Sequence, residues 1–495
     1  MKKIVFLLVL TGIIFSCSVS KPKSDINKLF TSFISSNDDI LTFGKMDLLT
    51  ITEKLNIAAF PMFGEIVTKQ VDRVENAIFL SEGVYFAISG SPDVDLIENQ
   101  FFGFAGVVNK DSLRSLFSEA GYFFEEKNGF SFAYEMGSAV AFNDDILVLT
   151  SIGFDEDALE VMEQVMKKCY AKKTNEKLAK FIEKDNDIAF VGRVAATIDE
   201  NDLDLPQDKL DLIKELSQDG YVYSSLNFLN GEIRLETFYD VNPELEKLIS
   251  IGKPAEKATL ALINTVSPII AGHLSFDIAK LENLFSTFYP NMMKDFYQSL
   301  GTTGLLLKGI GGDGLSTIID GNIAFSISDF PNDFIDDELP EFIVALGLGS
   351  AGKTVVDILV DLSEIGEIDK SSNNTYSWNG ITAKILDNHL VISKKDHKDF
   401  DISREKSSAM RKVNFGSQSF QIVADFQALL NSGLDIRSRE LKRFISLFDY
   451  AYLEQKGMTF TFSIFTLNKE LNILDNLLKT FQEELQDLSN IEAFI

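Results

Sequence analysis

Residues 101–121 carry the pattern from which much of the chain is built. FFGFAGVV is aromatic, small or β-branched with no charge, which predicts a buried strand. The polar corner Asn109-Lys110-Asp111-Ser112 follows. Leu113, Leu116, Phe117 and Ala120 then recur at helical spacing. Ser112 or Asp111 is placed to cap that helix, and Gly121 to end it.

The same alternation runs along the whole chain. Residues 39–57 predict a first strand, corner and helix. Residues 77–80 and 84–89 predict a hairpin about Ser81-Glu82-Gly83. Short strands are predicted at 130–135, 139–142 and 146–150, helices at 157–170 and 175–183, and a strand at 187–195. A helix at 210–216 precedes a hairpin of 221–228 with 232–239. Its turn is Asn230-Gly231, a strong signal because both positions favour positive φ. A short helix at 243–249 ends where Gly252-Lys253-Pro254 breaks the chain.

Beyond that break the order starts again. Residues 268–288 parallel 39–57, 323–331 parallel 85–92, and 341–362 parallel 101–121. Residues 383–394 parallel 141–151, 419–431 parallel 187–195, and 460–485 parallel 232–249. Matches in one order point to duplication. The expected fold is α+β: two related halves of about three strand-helix-hairpin units each, with mostly antiparallel sheets and helices on one face. The expected division is a leader at 1–16, an N-terminal linker at 17–26, and halves at 27–250 and 251–495.

Composition narrows the setting. With 495 residues, 45% hydrophobic and 24% charged, the chain has an ordinary globular make-up and room for two domains. A net charge of −28 argues against nucleic acid, and against adsorption to anionic lipid through a basic face. Lys2 and Lys3 followed by the apolar run 4–15 form an export signal too short to span a bilayer. The run ends in Ile14-Phe15-Ser16-Cys17, which resembles the lipobox of bacterial lipoproteins. That resemblance implies cleavage before Cys17 and acylation of its thiol, and Ser18 after it favours the outer membrane. Several acyl chains anchor stably, at about 0.8 kcal/mol per buried methylene. Cys169, the other cysteine, sits in a helical segment and reads as a buried structural thiol.

Together the lipobox, LLTITEKL at 48–55, VVNKDSLRSLF, AFNDDILVLTS and EKDNDIAFVGRV resemble the lipoproteins of Gram-negative bacteria grouped as domain of unknown function 4836. The resemblance spans most of the chain through diffuse patterns. It implies an envelope compartment and an α+β architecture, and carries no activity.

Several stretches look like chemistry. Gly347-Leu348-Gly349-Ser350-Ala351-Gly352-Lys353-Thr354 satisfies GxxxxGK[ST] between a strand and a helix. In a nucleotide site Lys353 would meet the β- and γ-phosphates and Thr354 the Mg²⁺. The matching corner 109–112 has no glycine, so Gly347, Gly352, Lys353 and Thr354 are read as a connector. Residues 309–314 satisfy GxGxxG without the helix a dinucleotide needs. Ser350 and Lys353 form an SxxK pair without its companion elements. His273, His389 and His397 have no metal spacing. The acidic runs 199–204 and 333–338 lack the EF-hand pattern. Tyr376 and Trp378 beside asparagines would suit sugar stacking if exposed, with core packing the alternative.

The expected function is therefore a non-enzymatic, lipid-anchored envelope protein that binds or scaffolds an envelope protein or glycan. No cofactor, metal or nucleic acid is expected. The alternative is an exported hydrolase acting on a polymer, with two carboxylates about 5–10 Å apart in a cleft between the halves.

Overall fold

The computed structural model describes residues 25–56, 64–90, 99–135, 137–153, 157–173, 175–197, 205–263, 268–289, 292–299, 301, 304, 308–309, 314–330, 339–362, 369–371, 374–394, 408–432, 436 and 438–480. The fold is α+β with antiparallel pairing throughout, in two compact units.

Unit 1 holds β1 (Ile40–Met46), β2 (Val84–Ser89), β3 (Gln100–Gly106), β4 (Glu125–Lys127), β5 (Phe130–Glu135), β6 (Ser138–Phe142), β7 (Ile146–Ser151), β8 (Ile188–Arg193), β9 (Tyr221–Leu229) and β10 (Glu232–Asp240). Their order across the sheet is β4-β5-β6-β7-β3-β2-β1-β8-β9-β10. Unit 2 holds β11 (Ile270–Ser275), β12 (Ile319–Asp329), β13 (Glu341–Leu348), β14 (Asp369–Ser371), β15 (Thr375–Trp378), β16 (Ile381–Leu386), β17 (His389–Ser393), β18 (Phe420–Asp425), β19 (Phe448–Lys456) and β20 (Thr459–Thr466). Its order is β14-β15-β16-β17-β13-β12-β11-β18-β19-β20.

The expected boundary near 250 shifts. Val241–Lys469 belongs to unit 2 together with Leu205–Leu216, and the described residues from Glu470 on belong to unit 1. There Asn472 donates its side-chain amide to the Phe228 carbonyl at 2.8 Å, which fixes this distant segment to the β9–β10 turn.

The strand-to-helix corners are set by short polar caps. Asn109 caps the helix Lys110–Glu119 by accepting from the amides of Asp111 and Ser112, so the cap falls earlier than the expected Ser112 or Asp111. Asp47 and Asp277 cap the helices Leu48–Leu55 and Ile278–Phe288 in the same way. Residues 77–80 do not form a strand. Leu80–Glu82 is a short 3₁₀ turn, and β2 pairs with β1 and β3 instead.

A helix at Ile26–Ser35 was not legible as such, and its first residue lies in the stretch expected to be linker. Asp25 caps it, and Ile26, Phe30 and Phe33 are buried. The Phe33 ring lies 5.1 and 4.9 Å from those of Phe102 and Phe104. Each such ring contributes about 1.5–3 kcal/mol by leaving water.

Helices cover both faces of the unit 1 sheet, not one. One core joins Phe30, Met162 and Leu178 to Phe104, Ala141 and Val148. The other joins Leu48, Val74 and Leu113 to Ala105, Val140 and Leu147. Residues adjacent in β3, β6 and β7 thus enter different cores, because side chains alternate across a strand. In unit 2, Val391 and its neighbours Leu390 and Ile392 divide between two cores likewise.

Candidate functional site

The glycine corner after β13 is the described region with the strongest chemical signature. A phosphate loop needs free backbone amides around an empty concavity. Here Leu348 N–H donates to Asn388 O at 2.7 Å, Gly349 N–H to Ile318 O at 2.9 Å and Ala351 N–H to Thr317 O at 2.7 Å. Gly352 N–H donates to Gly349 O at 3.0 Å. A Cβ on Gly347 would fall 2.0 Å from Asp320 Oδ1, so a carboxylate already lies against that glycine. The glycines serve close approach. A Cβ on Gly349 would meet Ser316 O and Thr317 C at 2.5 Å, and one on Gly352 would meet Ile318 O at 2.4 Å. Lys353 and Thr354 are exposed at the start of the helix Gly352–Leu362.

The other sequence candidates are scattered. Of residues 309–314, Gly309 and Gly314 are described, and Leu315–Thr317 is a single 3₁₀ turn before β12. His273 is buried in β11 with Nε2 3.2 Å from Gln421 Oε1. His389 is buried in β17 with Nε2 2.9 Å from Thr259 Oγ1. Tyr376 is fully buried and donates to Asp357; burial, then that carboxylate, push its phenol pKa up. Trp378 packs beside it against Ala383 and Ile385. Tyr376 is thus core and offers no face to a sugar, while Trp378 is partly buried. Cys17, His397 and the acidic runs 199–204 and 333–338 lie outside the described residues.

Cys169 ends the helix Ala158–Cys169 inside the unit 1 core, and burial pushes its thiol up to about 12. The thiolate is the reactive form. An aromatic disulfide reagent at mildly alkaline pH is therefore expected to leave Cys169 unmodified in the folded chain and to titrate it fully in denaturant. Rapid labelling of the native protein would contradict this burial.

No group of three or more His, Cys, Asp or Glu side chains is placed to hold a metal among the described residues. A cavity of about 30 Å³ in unit 1 is lined by Leu48, Ile78, Val84, Phe104, Leu147 and Leu149. Its wholly apolar wall offers nothing to orient a substrate, and its volume is about that of one water. No described helix is long and apolar enough to cross a membrane.

Two arrangements had no sequence signal. Lys54 Nζ reaches both oxygens of the buried Asp187 carboxylate at 2.6 and 2.7 Å, which ties the helix Leu48–Leu55 to β8. Gly44 in β1 lies opposite Phe86, and Gly272 in β11 opposite Phe325. A Cβ at those glycines would meet the phenyl rings at 2.7 and 2.5 Å.

No protein-family profile matches the chain, and no curated protein matches it. Among solved structures, TP0453 in crystal form IV is similar at a TM-score of 0.29 and 12% identity, over 44% of this chain and 83% of that one. TP0453 in crystal form I is similar at 0.25 and 9%, over 42% and 77%.

Proposed function

We infer that the protein is an outer-membrane lipoprotein acylated at Cys17. In this reading its two related α+β halves bind or scaffold another envelope component without chemistry of their own. The observation that carries the non-catalytic reading is the glycine corner: the amides of Leu348, Gly349, Ala351 and Gly352 donate to protein carbonyls, and the Asp320 carboxylate against Gly347 would repel a phosphate. Gly347, Gly352, Lys353 and Thr354 then act as a connector between β13 and its helix. The resemblance to the uncharacterised lipoproteins supports the compartment.

Duplication is supported by strand order. Reading β1 as β11, β2 as β12 and onward to β10 as β20 turns the order of one sheet into that of the other. The Gly44–Phe86 and Gly272–Phe325 pairs fall at matching positions, β1 with β2 and β11 with β12. An aromatic ring laid over a strand glycine covers backbone that would otherwise be exposed.

Metabolic labelling with a palmitate analogue tests the anchor. Wild-type chain should carry label and fractionate with membranes, and Cys17→Ala should lose both. Label retained on Cys17→Ala would overturn the lipoprotein reading. Crosslinking in intact cells then identifies the partner.

A further inference from the structure

The helix Arg439–Ser446 in unit 2 stands apart among the described helices. Ser438 caps it, and it packs on β19 through Phe444, whose ring lies 5.1 Å from that of Phe448. Its apolar positions, Leu441, Phe444 and Ile445, form one stripe, yet Leu441 and Phe444 remain 50% and 49% exposed. Leu467, whose amide donates to Leu447 O at 2.9 Å just past the helix end, is 52% exposed. Two large apolar side chains are thus exposed on this helix, and a third on the segment bonded to its end.

The charge around them is the reverse of the chain as a whole. Arg439, Lys442 and Arg443 stand against Glu440 alone, in a chain with 74 acidic and 46 basic residues. Lys412 and Lys469 converge on Asp449, three residues beyond the helix, at 2.7 and 3.5 Å. The helix Gln207–Ser217 occupies the corresponding interval between β8 and β9. It carries Asp208, Asp211 and Glu215 against two lysines, and it buries Leu210 and Leu216. The basic, uncovered helix is therefore particular to the second half.

We propose that Arg439–Ser446 is a contact site for an anionic phospholipid surface. Leu441, Phe444 and Leu467 enter the boundary between headgroups and acyl chains, and Arg439, Lys442 and Arg443 face the phosphates. A basic polar face beside exposed Leu and Phe is the composition that lies in the plane of a membrane interface. An acidic peptide would satisfy the cations and leave the apolar residues uncovered. The net charge of −28 does not forbid this contact, because charges farther from the surface than a Debye length of about 8 Å are screened. The proposal rests on the lipoprotein reading only in that acylated Cys17 keeps a lipid surface near at hand.

The test separates the two. The processed chain from Cys17 onward, carrying Cys17→Ser, has no acyl group. It is mixed with vesicles of phosphatidylglycerol and phosphatidylethanolamine, or of phosphatidylcholine alone, and floated. Binding to the anionic vesicles is expected, weakened by salt. The bound fraction should fall by about tenfold in Leu441→Ser/Phe444→Ser and in Arg439→Glu/Lys442→Glu; because Phe444 packs on Phe448, Leu441→Ser/Leu467→Ser should give the same loss with the melting temperature unchanged. Absence of flotation, or equal flotation by all variants, would overturn the proposal whatever the labelling of Cys17 shows. So would a wild-type dimer in sedimentation that Leu441→Ser/Phe444→Ser abolishes, which would assign the patch to a second copy of the chain.

Discussion

Lys54→Met is expected to lower the stability of unit 1 by about 3 kcal/mol, because it leaves a carboxylate buried without its counter-charge. Asp187 is 2% exposed and sits where three elements meet. Its carboxylate accepts from Lys54 Nζ and, at 2.6 Å, from the Phe228 amide in β9. Its backbone carbonyl accepts from the Asp47 amide at 2.8 Å, and its amide donates to Asn227 Oδ1 at 3.2 Å. Methionine keeps most of the lysine stem and removes only the ammonium, so packing is largely preserved. The carboxylate must then be protonated, hydrated or displaced. The effect should lie at the lower end of the 3–5 kcal/mol range for breaking a buried pair, since the Lys54 side chain is 25% exposed and water can enter. In a unit of this size that is roughly a 6–12 °C fall in melting temperature. Lys54→Met/Asp187→Asn should recover part of the loss, because it removes both charges. A loss below about 1 kcal/mol, or a double variant worse than the sum of the singles, would mean that the ion pair does not hold this junction.

That junction also shows where reading along the chain stops. Lys54 and Asp187 are 133 residues apart, and each looks like an ordinary surface charge in its own segment. Short-range features were legible. The Asn230-Gly231 turn, the strands 130–135 and 146–150 and the helix after Asn109 all lie where the alternation placed them. The cap slipped by two or three residues because Asn, Asp and Ser occur together at this corner, and only geometry selects the acceptor. The expectation of helices on one face failed at β7. ILVLT is apolar at nearly every position rather than at alternate ones, the mark of a strand covered on both sides. The glycine corner is the opposite case. Its residues satisfy a phosphate motif letter by letter, while the groups that occupy it, Ser316–Asp320, come from another turn of the chain.

Substitution at that corner should therefore strike the fold and spare any nucleotide response. Gly349→Ala is expected to cost about 1–3 kcal/mol or more, since its Cβ would fall within 2.5 Å of the Ser316 and Thr317 backbone. That backbone cannot retreat freely, because Thr317 O and Ile318 O accept from Ala351 and Gly349. Gly347→Ala should be milder: its obstacle is the Asp320 side chain, which can rotate. Lys353→Ala should change stability by less than about 0.5 kcal/mol, because Lys353 is exposed on the first turn of its helix. A working phosphate loop would give the reverse ranking in a ligand assay. A nucleotide at a hundred times its dissociation constant stabilises by about 2.7 kcal/mol, which a thermal melt resolves easily. No rise in melting temperature with Mg²⁺ and ATP is expected for either wild type or Lys353→Ala. A rise in the wild type that disappears in Lys353→Ala would show that phosphate displaces Asp320 from Gly347, and that the corner is a nucleotide site after all.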